Sequence, residues 1–548
     1  MSFEIVHRDL AGRIGKLETP RGVIDTPLFL PVINPALQPI SLEEIRKDFD
    51  CQAIIANAYL LKKHHEKEVL EKGIHDFLKF DGVIATDSGG YQILLYGDVE
   101  VSPEEIVRFQ EEIGTDIAVI LDIPTGWNAK RERAEYTVDE TLKRARVALS
   151  RLTRKDLLWV GPVQGGNHLD LVSRSATEMG EMPFDIFALG SPTQVIEQYL
   201  FDVMADMIVA AKTKLPVHKP FHLFGAGHPF MLSFAVALGC DIFDSAAYAL
   251  YARRGKYMTN YGTVDLKNLQ FVSCSCNVCT KYTPRELLGV SAKERERLLA
   301  WHNLDACFRE IERIKQALCD GRLWELLELR SRSHPALLQA LKRLRKYPKY
   351  LEVGTPISKR RGLFYFSSTG LARPELVRYR ERIRRWVPPT QADVLVMLSR
   401  PSTKPFHRSK ELGRVCRCLS KKLGKDMRDI DLCVYAEPYG VIPLVLDETY
   451  PLSQFEVASP LDRETIDYVI AQIEEYLDTR DWYRAVVVQP NPIFGEKVKN
   501  VCKRVNKLER LVVSPFEEDL WSEKAINNFV DIVYATYTRS HELQGNPA

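Results

Sequence analysis

Eight short apolar runs in the first 250 residues, separated by segments of helical character, constrain this chain more than any other feature. They are PLFLP from Pro27, AIIAN from Ala53, VIATD from Val83, IAVILD from Ile117, LLWVGPVQ from Leu157, DIFALG from Asp185, FHLFG from Phe221 and DIFD from Asp241. Strands alternating with helices pair in parallel and are covered on both faces, and eight such units close into a (β/α)8 barrel. Helix starts punctuate the gaps. Ser41 with Glu44, Ser102 with Pro103 and Glu105, and Thr137 with Glu140 each set a capping oxygen three residues before a reciprocal acid. From Thr137 onward, Val138, Leu142, Ala145, Leu149 and Leu152 share one face, which predicts an amphipathic helix outside the sheet.

The runs end in polar residues or glycine: Asn57, Asp87, Asp122, Gln164, Gly190, Gly225 and Asp244. In a barrel those ends converge on one rim, where such enzymes keep their chemistry. A doubly wound open sheet gives a similar alternation. Asp87-Ser88-Gly89-Gly90 is too short for a dinucleotide fingerprint, and no Gly-Lys-Ser/Thr phosphate loop follows a strand. The expected fold is α/β: a TIM (β/α)8 barrel catalytic domain over residues 1–345, with an inserted zinc-binding module at about 270–305, followed by smaller α/β (α+β) C-terminal domains.

At roughly 150 residues per domain, 548 residues also leave room for more than the barrel. With 75 basic against 73 acidic side chains, a uniformly basic nucleic-acid coat is excluded, so the placement of charge matters more than its sum. Residues 341–386 hold 14 Lys/Arg and three Glu among Tyr347, Tyr350, Phe364, Tyr365, Phe366, Tyr379 and Trp386. That mix suits phosphate contacts and base stacking, although helical parts of it could equally be solvated faces. Residues 346–390 are therefore set apart as a basic, aromatic-rich connecting segment. After Pro388-Pro389, residues 391–548 show a smaller α/β pattern (ADVLVML, DLCVYA, VIPLVL, a helix from Arg463 to Leu477, AVVVQP, another helix, LVVSP) and a frayed tail, HELQGNPA. No apolar window spans a bilayer and the start lacks the order of a signal peptide, so a cytoplasmic protein without membrane contact is expected.

Eleven cysteines, an odd number, argue against a disulfide framework. Cys274, Cys276 and Cys279 pack three thiols into six residues, and His302 follows a helix start at Thr283-Pro284-Arg285-Glu286. Three thiolates and an imidazole complete a closed tetrahedral Zn2+ site, one per chain and structural. With Cys307 as a fourth thiol, an iron–sulfur cluster stays open as an alternative. Asp87 and Asp244 follow the third and eighth runs. Carboxylates paired across a cleft suit displacement at an anomeric carbon, one attacking and the other moving a proton; a lone strand-end Asp is as readily a helix cap. Arg253, Arg254 and Lys256, just beyond Asp244, could hold phosphates or form a solvated face.

The segments ATDSGGYQ and FDSAAYALYARRGKY, with the Cys-x-Cys-x2-Cys…His pattern, resemble tRNA-guanine transglycosylases, and the C-terminal extension resembles their archaeal branch. The resemblance runs over almost the whole chain. It implies a zinc-containing TIM barrel that replaces guanine-15 in the D-arm of tRNA by 7-cyano-7-deazaguanine (preQ0), an archaeosine precursor. By matching position, Asp244 resembles the nucleophile and Asp87 the general acid/base. Ser88, Asp122, Gln164 and Gly190 match base-recognition positions, and Tyr91 would stack on the base. RNA contacts are expected at Arg253, Arg254, Lys256, Arg360, Arg361, Arg384 and Arg385.

Two departures accompany the resemblance. No PUA domain is evident after about residue 540, so tRNA would meet either a separate PUA-domain protein or the basic segment and α/β region. Pro401-Ser402-Thr403-Lys404-Pro405-Phe406 resembles a motif of archaeosine synthase, the amide-transferring paralogue, but without its cysteine. That paralogue and a non-catalytic tRNA-binding partner subunit are the alternative functions, and both predict a dispensable Asp244. The family also implies a homodimer.

Overall fold

The barrel closes. A computed structural model describes residues 2–90, 101–386, 392–480, 482–491, 493–494, 497–498, 500–501 and 511–542. Three antiparallel strands, β1 (Phe3–Asp9), β2 (Gly12–Thr19) and β3 (Gly22–Thr26), form a separate sheet in that order. The barrel strands follow: β4 (Leu28–Ile33), β5 (Ala53–Asn57), β6 (Val83–Asp87), β7 (Ile117–Val119), β8 (Leu158–Val163), β9 (Ile186–Leu189), β10 (Phe221–Leu223) and β11 (Ile242–Ser245). Each apolar run supplies one strand. Closure excludes the open sheet, because β11 pairs in parallel with β4, Ile242 opposite Leu28 and Ser245 opposite Pro31.

Alternation along the strands fills the interior. Leu28, Leu30, Ala53, Ile55, Val83, Ala85, Ile117, Val119, Leu158, Val160, Ile186, Ala188 and Ile242 recur at every second position of their strands and form one buried cluster. Leu17 and Ile24 join this cluster, so the sheet β1–β3, which is not among the eight apolar runs, stoppers the amino end. Two residues beyond Ile55 and Ala85, the same phase brings Asn57 and Asp87 inward at the carboxyl end.

Capping boxes form at Ser41–Glu44 and Ser102–Glu105 as the spacing predicts. The third start is corrected: the helix runs Arg131–Arg151, and Thr137 lies buried inside it. Its hydroxyl bonds back to the Ala134 carbonyl, and Glu140 pairs with Arg144 rather than with a cap. A threonine inside a helix can satisfy its hydroxyl on the preceding turn, which makes the box pattern ambiguous there. Val138, Leu142 and Ala145 face inward as expected, whereas Leu149 is half-buried.

After the eighth strand and a short helix, Ala247–Arg253, come the hairpin β12 (Lys256–Thr259) and β13 (Gly262–Asp265), the cysteine segment, a helix Pro284–Gly289 capped by Thr283 and Glu286, and the long helix Ala292–Asp320. The chain divides into units Met1–Pro356 and Ile357–Ala548. The division falls inside the stretch 346–390, whose residues are shared between the two. In the second unit β14 (Leu363–Tyr365) pairs with β18 (Phe455–Val457), and β15 (Val394–Ser399), β16 (Ile430–Ala436), β17 (Gly440–Pro443), β19 (Ala485–Val488) and β20 (Leu511–Val513) form one sheet in the order β17-β16-β15-β19-β20. Among the described strands of that sheet only β17 is antiparallel, and apolar clusters cover both faces. Among the described residues no helix is long and apolar enough to cross a membrane.

Candidate active site and metal centre

At the carboxyl rim, neighbouring strands present inward-facing polar residues. Asn57 and Asp87 are paired residues of β5 and β6, and the Asn57 amide donates to Asp87 Oδ2 at 2.8 Å. The Gly89 N–H donates to Oδ1 at 3.4 Å. Burial, and then the nearby Asp244 carboxylate, push the Asp87 carboxyl up to about 6. Asp244 is the penultimate residue of β11, where its Oδ1 accepts from His222 Nε2 at 2.9 Å and from the Gly225 N–H at 3.0 Å. Asp122 is buried, accepts from Gln164 Nε2 at 2.5 Å, and is pushed up to about 7 by burial and by Asp87.

Gln164 is held from both sides, its Oε1 accepting the Thr125 N–H at 2.9 Å. A Cβ on Gly190 would lie 2.0 Å from Gln164 Nε2, and one on Gly90 would lie 2.3 Å from Asp122 Oδ1, so both positions need glycine for the polar side chains to fit. The Gly190 N–H itself donates to the Val163 carbonyl at 2.8 Å. Ser88 is fully buried and donates its hydroxyl to the Ile120 carbonyl at 2.9 Å. Asp87, Asp122, Gln164, Gly190 and Asp244 thus belong to one rim, linked by contact or field. Tyr91 lies outside the described residues.

Sequence reasoning missed His222, Phe224 and the partnership of Asn57 with Asp87. The signal was available for His222. It pairs with Ile242 and with Ala188, both inward-facing, so its own side chain points inward at a level reached by Asp244. Phe224, two residues on, packs against the interior cluster and sets its ring against the imidazole at 4.6 Å.

Cys274, Cys276, Cys279 and His302 bring one ligand atom each within 4.8 Å of the others. His302 Nε2 lies 2.9 Å from the Met258 carbonyl oxygen, which can only accept, so Nε2 carries the hydrogen and Nδ1 is left to coordinate. Nδ1 sits 3.6 Å from Cys276 Sγ and 3.4 Å from Cys279 Sγ. Bond lengths of about 2.3 Å to sulfur and 2.0 Å to nitrogen imply tetrahedral ligand separations of about 3.5–3.8 Å, so the set fits a metal ion. Tyr257 stacks on the imidazole at 3.7 Å, and its hydroxyl lies 3.2 Å from Cys279 Sγ. The iron–sulfur alternative is overturned: Cys307 is outside the cluster, buried, with its thiol donating to the Gly227 carbonyl at 3.2 Å.

Residues 9–336 match the family described as Queuine tRNA-ribosyltransferase. The chain belongs to that family. Its similarity to tRNA-guanine(15) transglycosylase of Methanocaldococcus jannaschii is 43% identity over 500 residues, 90% of this chain and 73% of the relative. To the protein of that name from Methanosarcina mazei it is 41% over 478 residues, 87% and 91% respectively; to that from Methanococcus vannielii, 40% over 538 residues, 96% and 80%. Residues 376–533 match a domain of unknown function, DUF5591, rather than a PUA domain.

In this queuine tRNA-ribosyltransferase family member the cationic candidates differ in availability. Arg253 pairs with Glu296 at 3.0 Å and Lys256 with Asp265 at 2.9 Å, whereas Arg254 is exposed without an ion pair among the described residues. Arg360, Arg361, Arg384 and Arg385 are all exposed, Arg384 with Glu475 at 2.6 Å. Other cations of 341–386 serve the fold: Arg343 pairs with Asp206, and Lys359 and Arg373 flank the buried Glu375. The Lys404 ammonium lies over the Phe455 ring at 4.7 Å.

Proposed function

We propose that this chain is a pentosyltransferase that exchanges guanine-15 in the D-arm of tRNA for 7-cyano-7-deazaguanine, in archaeosine biosynthesis. The observation that carries the reading is the pair Asp244 and Asp87 on one rim, where burial and then the Asp244 charge raise Asp87 to about 6, with the family match around them. Asp244 attacks the ribose C1′: a bond from its carboxylate oxygen to C1′ forms as the C1′–N9 bond breaks, and the departing guanine takes a proton from Asp87. The incoming base then gives its ring proton to Asp87 and attacks C1′, and the ester bond to Asp244 breaks. Two inversions give net retention. A carboxyl near 6 suits both halves, since it can hold a proton or take one near neutrality.

Asp122 and Gln164, with Ser88 and Gly190 beside them, form the pocket that reads the base edge, and the stacking role on that base is assigned to Tyr91. A carboxyl near 7 in contact with an amide can accept from or donate to a purine-like ring. Cys274, Cys276, Cys279 and His302 would hold Zn2+, which in such a site supplies folding stability by tying the cysteine segment to the long helix rather than taking part in the exchange. Arg253, Arg254, Lys256, Arg360, Arg361, Arg384 and Arg385 contact RNA phosphates. The same reading makes the protein cytoplasmic and homodimeric; mass measurement of the native protein tests the dimer. The central test is a denaturing gel of the enzyme with labelled tRNA. A covalent protein–tRNA species is expected, lost in Asp244→Ala; guanine exchange without any such species in the parent enzyme rejects the mechanism.

A further inference from the structure

We infer that His222 is a positioning residue which, with the Gly225 N–H, clamps Asp244 Oδ1, leaves Oδ2 as the attacking atom, and helps the carboxylate depart in the second displacement. The inference rests on the proposal that Asp244 is the nucleophile. Both donors converge on one oxygen: His222 Nε2 at 2.9 Å and the Gly225 nitrogen at 3.0 Å from Oδ1. Among the described residues, no hydrogen bond reaches Oδ2. Since a carboxylate oxygen only accepts, His222 Nε2 carries the hydrogen.

The clamp is built into the fold. His222 is in the middle of β10, in register with Ile242 of β11 and Ala188 of β9, and its side chain is only 4% exposed. The Phe224 ring meets the imidazole at 4.6 Å and 67°, fixing its plane. Gly225 has φ +67°, and a Cβ there would lie 2.6 Å from Thr193 Oγ1, so only glycine can turn its N–H onto Asp244 at this point.

The chemistry assigns the two oxygens different tasks. In the first displacement the Oδ2–C1′ bond forms and the C1′–N9 pair leaves with guanine, while Oδ1 becomes the carbonyl oxygen of a glycosyl ester. In the second, the incoming ring nitrogen, its proton passing to Asp87, attacks C1′; the Oδ2–C1′ electron pair returns to Asp244, and negative charge reappears over both oxygens. Donors already in place at Oδ1 stabilise that charge as it develops and need no reorganisation. They also stabilise the free carboxylate, which moderates its attack. Removing them slows departure more than attack, so the ester accumulates.

The experiment compares wild type, His222→Leu, His222→Gln and His222→Asn in steady-state exchange with 7-cyano-7-deazaguanine, quenching into denaturing gels to measure the covalent fraction. His222→Leu is expected to lower kcat by about 100-fold, to change KM for tRNA by no more than about twofold, and to raise the covalent fraction. His222→Gln, whose amide can replace Nε2–H, recovers most of kcat and the wild-type covalent fraction; His222→Asn, too short to reach, does not. If the Leu variant fails to fold, the Gln and Asn pair carries the comparison alone. Unchanged kcat in the variants that lack the donor, or kcat and covalent fraction falling together, overturns the clamp. A wild-type enzyme that turns over without a covalent species overturns the nucleophile reading and the clamp with it, whereas a wild-type species unaffected by His222 overturns the clamp alone.

Discussion

The two ends of the barrel both carry buried or half-buried aspartates at strand termini, yet they use them in opposite ways. At the amino end, Asp116, Asp185 and Asp241 precede β7, β9 and β11, and each accepts a backbone N–H from the preceding barrel strand: Ile84 at 2.8 Å, Trp159 at 3.1 Å and Phe221 at 2.8 Å. Countercharge accompanies them. Asp241 takes Arg13 in a bidentate pair at 2.7 and 2.8 Å, and the same guanidinium reaches the Val217 and Lys219 carbonyls. His75 approaches Asp116 at 3.0 Å. At the carboxyl end, Asp87, Asp122 and Asp244 face one another, with amides, a histidine and backbone N–H groups around them. Equivalent residues at equivalent strand ends therefore stitch strands together at one rim and are held in an electrostatically costly arrangement at the other. Carboxylates gathered without countercharge at the carboxyl rim of a barrel are where chemistry is to be sought, and those paired with cations at the amino end are where stability is.

That contrast is most exposed to a pair of isosteric changes. Asp244→Asn is expected to reduce base exchange by a factor on the order of 10⁴ or more, because an amide cannot serve as the covalent acceptor, while leaving melting temperature and tRNA affinity near the parent values. Asp241→Asn, at the other end of the same strand, should do the reverse, costing about 3–5 kcal/mol of stability by leaving Arg13 buried without its partner, with kcat per folded molecule retained. Denaturant melts and exchange assays on both proteins test this, and loss of the same property in both variants breaks the comparison.

Cys276→Ser tests a third kind of site, the cluster of three cysteines and His302 that could hold a metal ion. Metal content and melting temperature should fall together, since ligand binding there is folding free energy. Stoichiometric metal with unchanged stability would show that the thiol at 276 is not a ligand.

The pH dependence of stability sharpens the rim contrast further. Asp122 sits at about 7 in the folded protein, above its ordinary value of 3.8. Between these values the native state keeps a proton that the unfolded state has released, so stability falls as pH rises through this range and the cost is complete above about 7. Asp122→Asn removes that cost. The variant should be more stable than the parent at about pH 8, with the difference shrinking toward zero below about pH 4, even as base recognition suffers. A variant less stable than the parent on the alkaline side would show that the carboxylate is compensated in a way these contacts do not supply.

The smallest effect is expected from the second unit. Replacing Arg360, Arg361, Arg384 and Arg385 by Ala should weaken tRNA binding and flatten the dependence of log affinity on log salt, by about one unit for each phosphate that is no longer neutralised, with exchange at saturating tRNA less affected. Identical slopes would make this a solvated face.

Much of the fold and of the site is legible in the sequence. The eight strands follow from runs of β-branched and apolar residues whose length and spacing leave few alternatives, and the three cysteines lie so close together that only His302 has to be brought in. The Thr137 start misleads because Ser/Thr followed by Glu three residues later occurs inside helices too, where the hydroxyl bonds to its own preceding turn. The basic stretch 341–386 looks uniform in sequence, yet Arg343, Lys359 and Arg373 turn inward to Asp206 and Glu375. A partner as distant in the chain as Asp206 is from Arg343 leaves no local trace.

By itself the sequence determined the number of barrel strands, the identity of the strand-end residues and the cysteine–histidine group that could hold a metal ion, because periodicity, turn chemistry and ligand spacing are local. Only the tertiary structure decided which carboxylates meet a countercharge and which are gathered with other carboxylates at one rim. Asp241 and Asp244 are three residues apart in the chain, and what distinguishes them is distant from both: Arg13 reaches the first from β2, while His222 and Gly225 meet the second from the neighbouring strand and its loop. Charge in a buried site takes its meaning from its partners, and closure of the barrel chooses them.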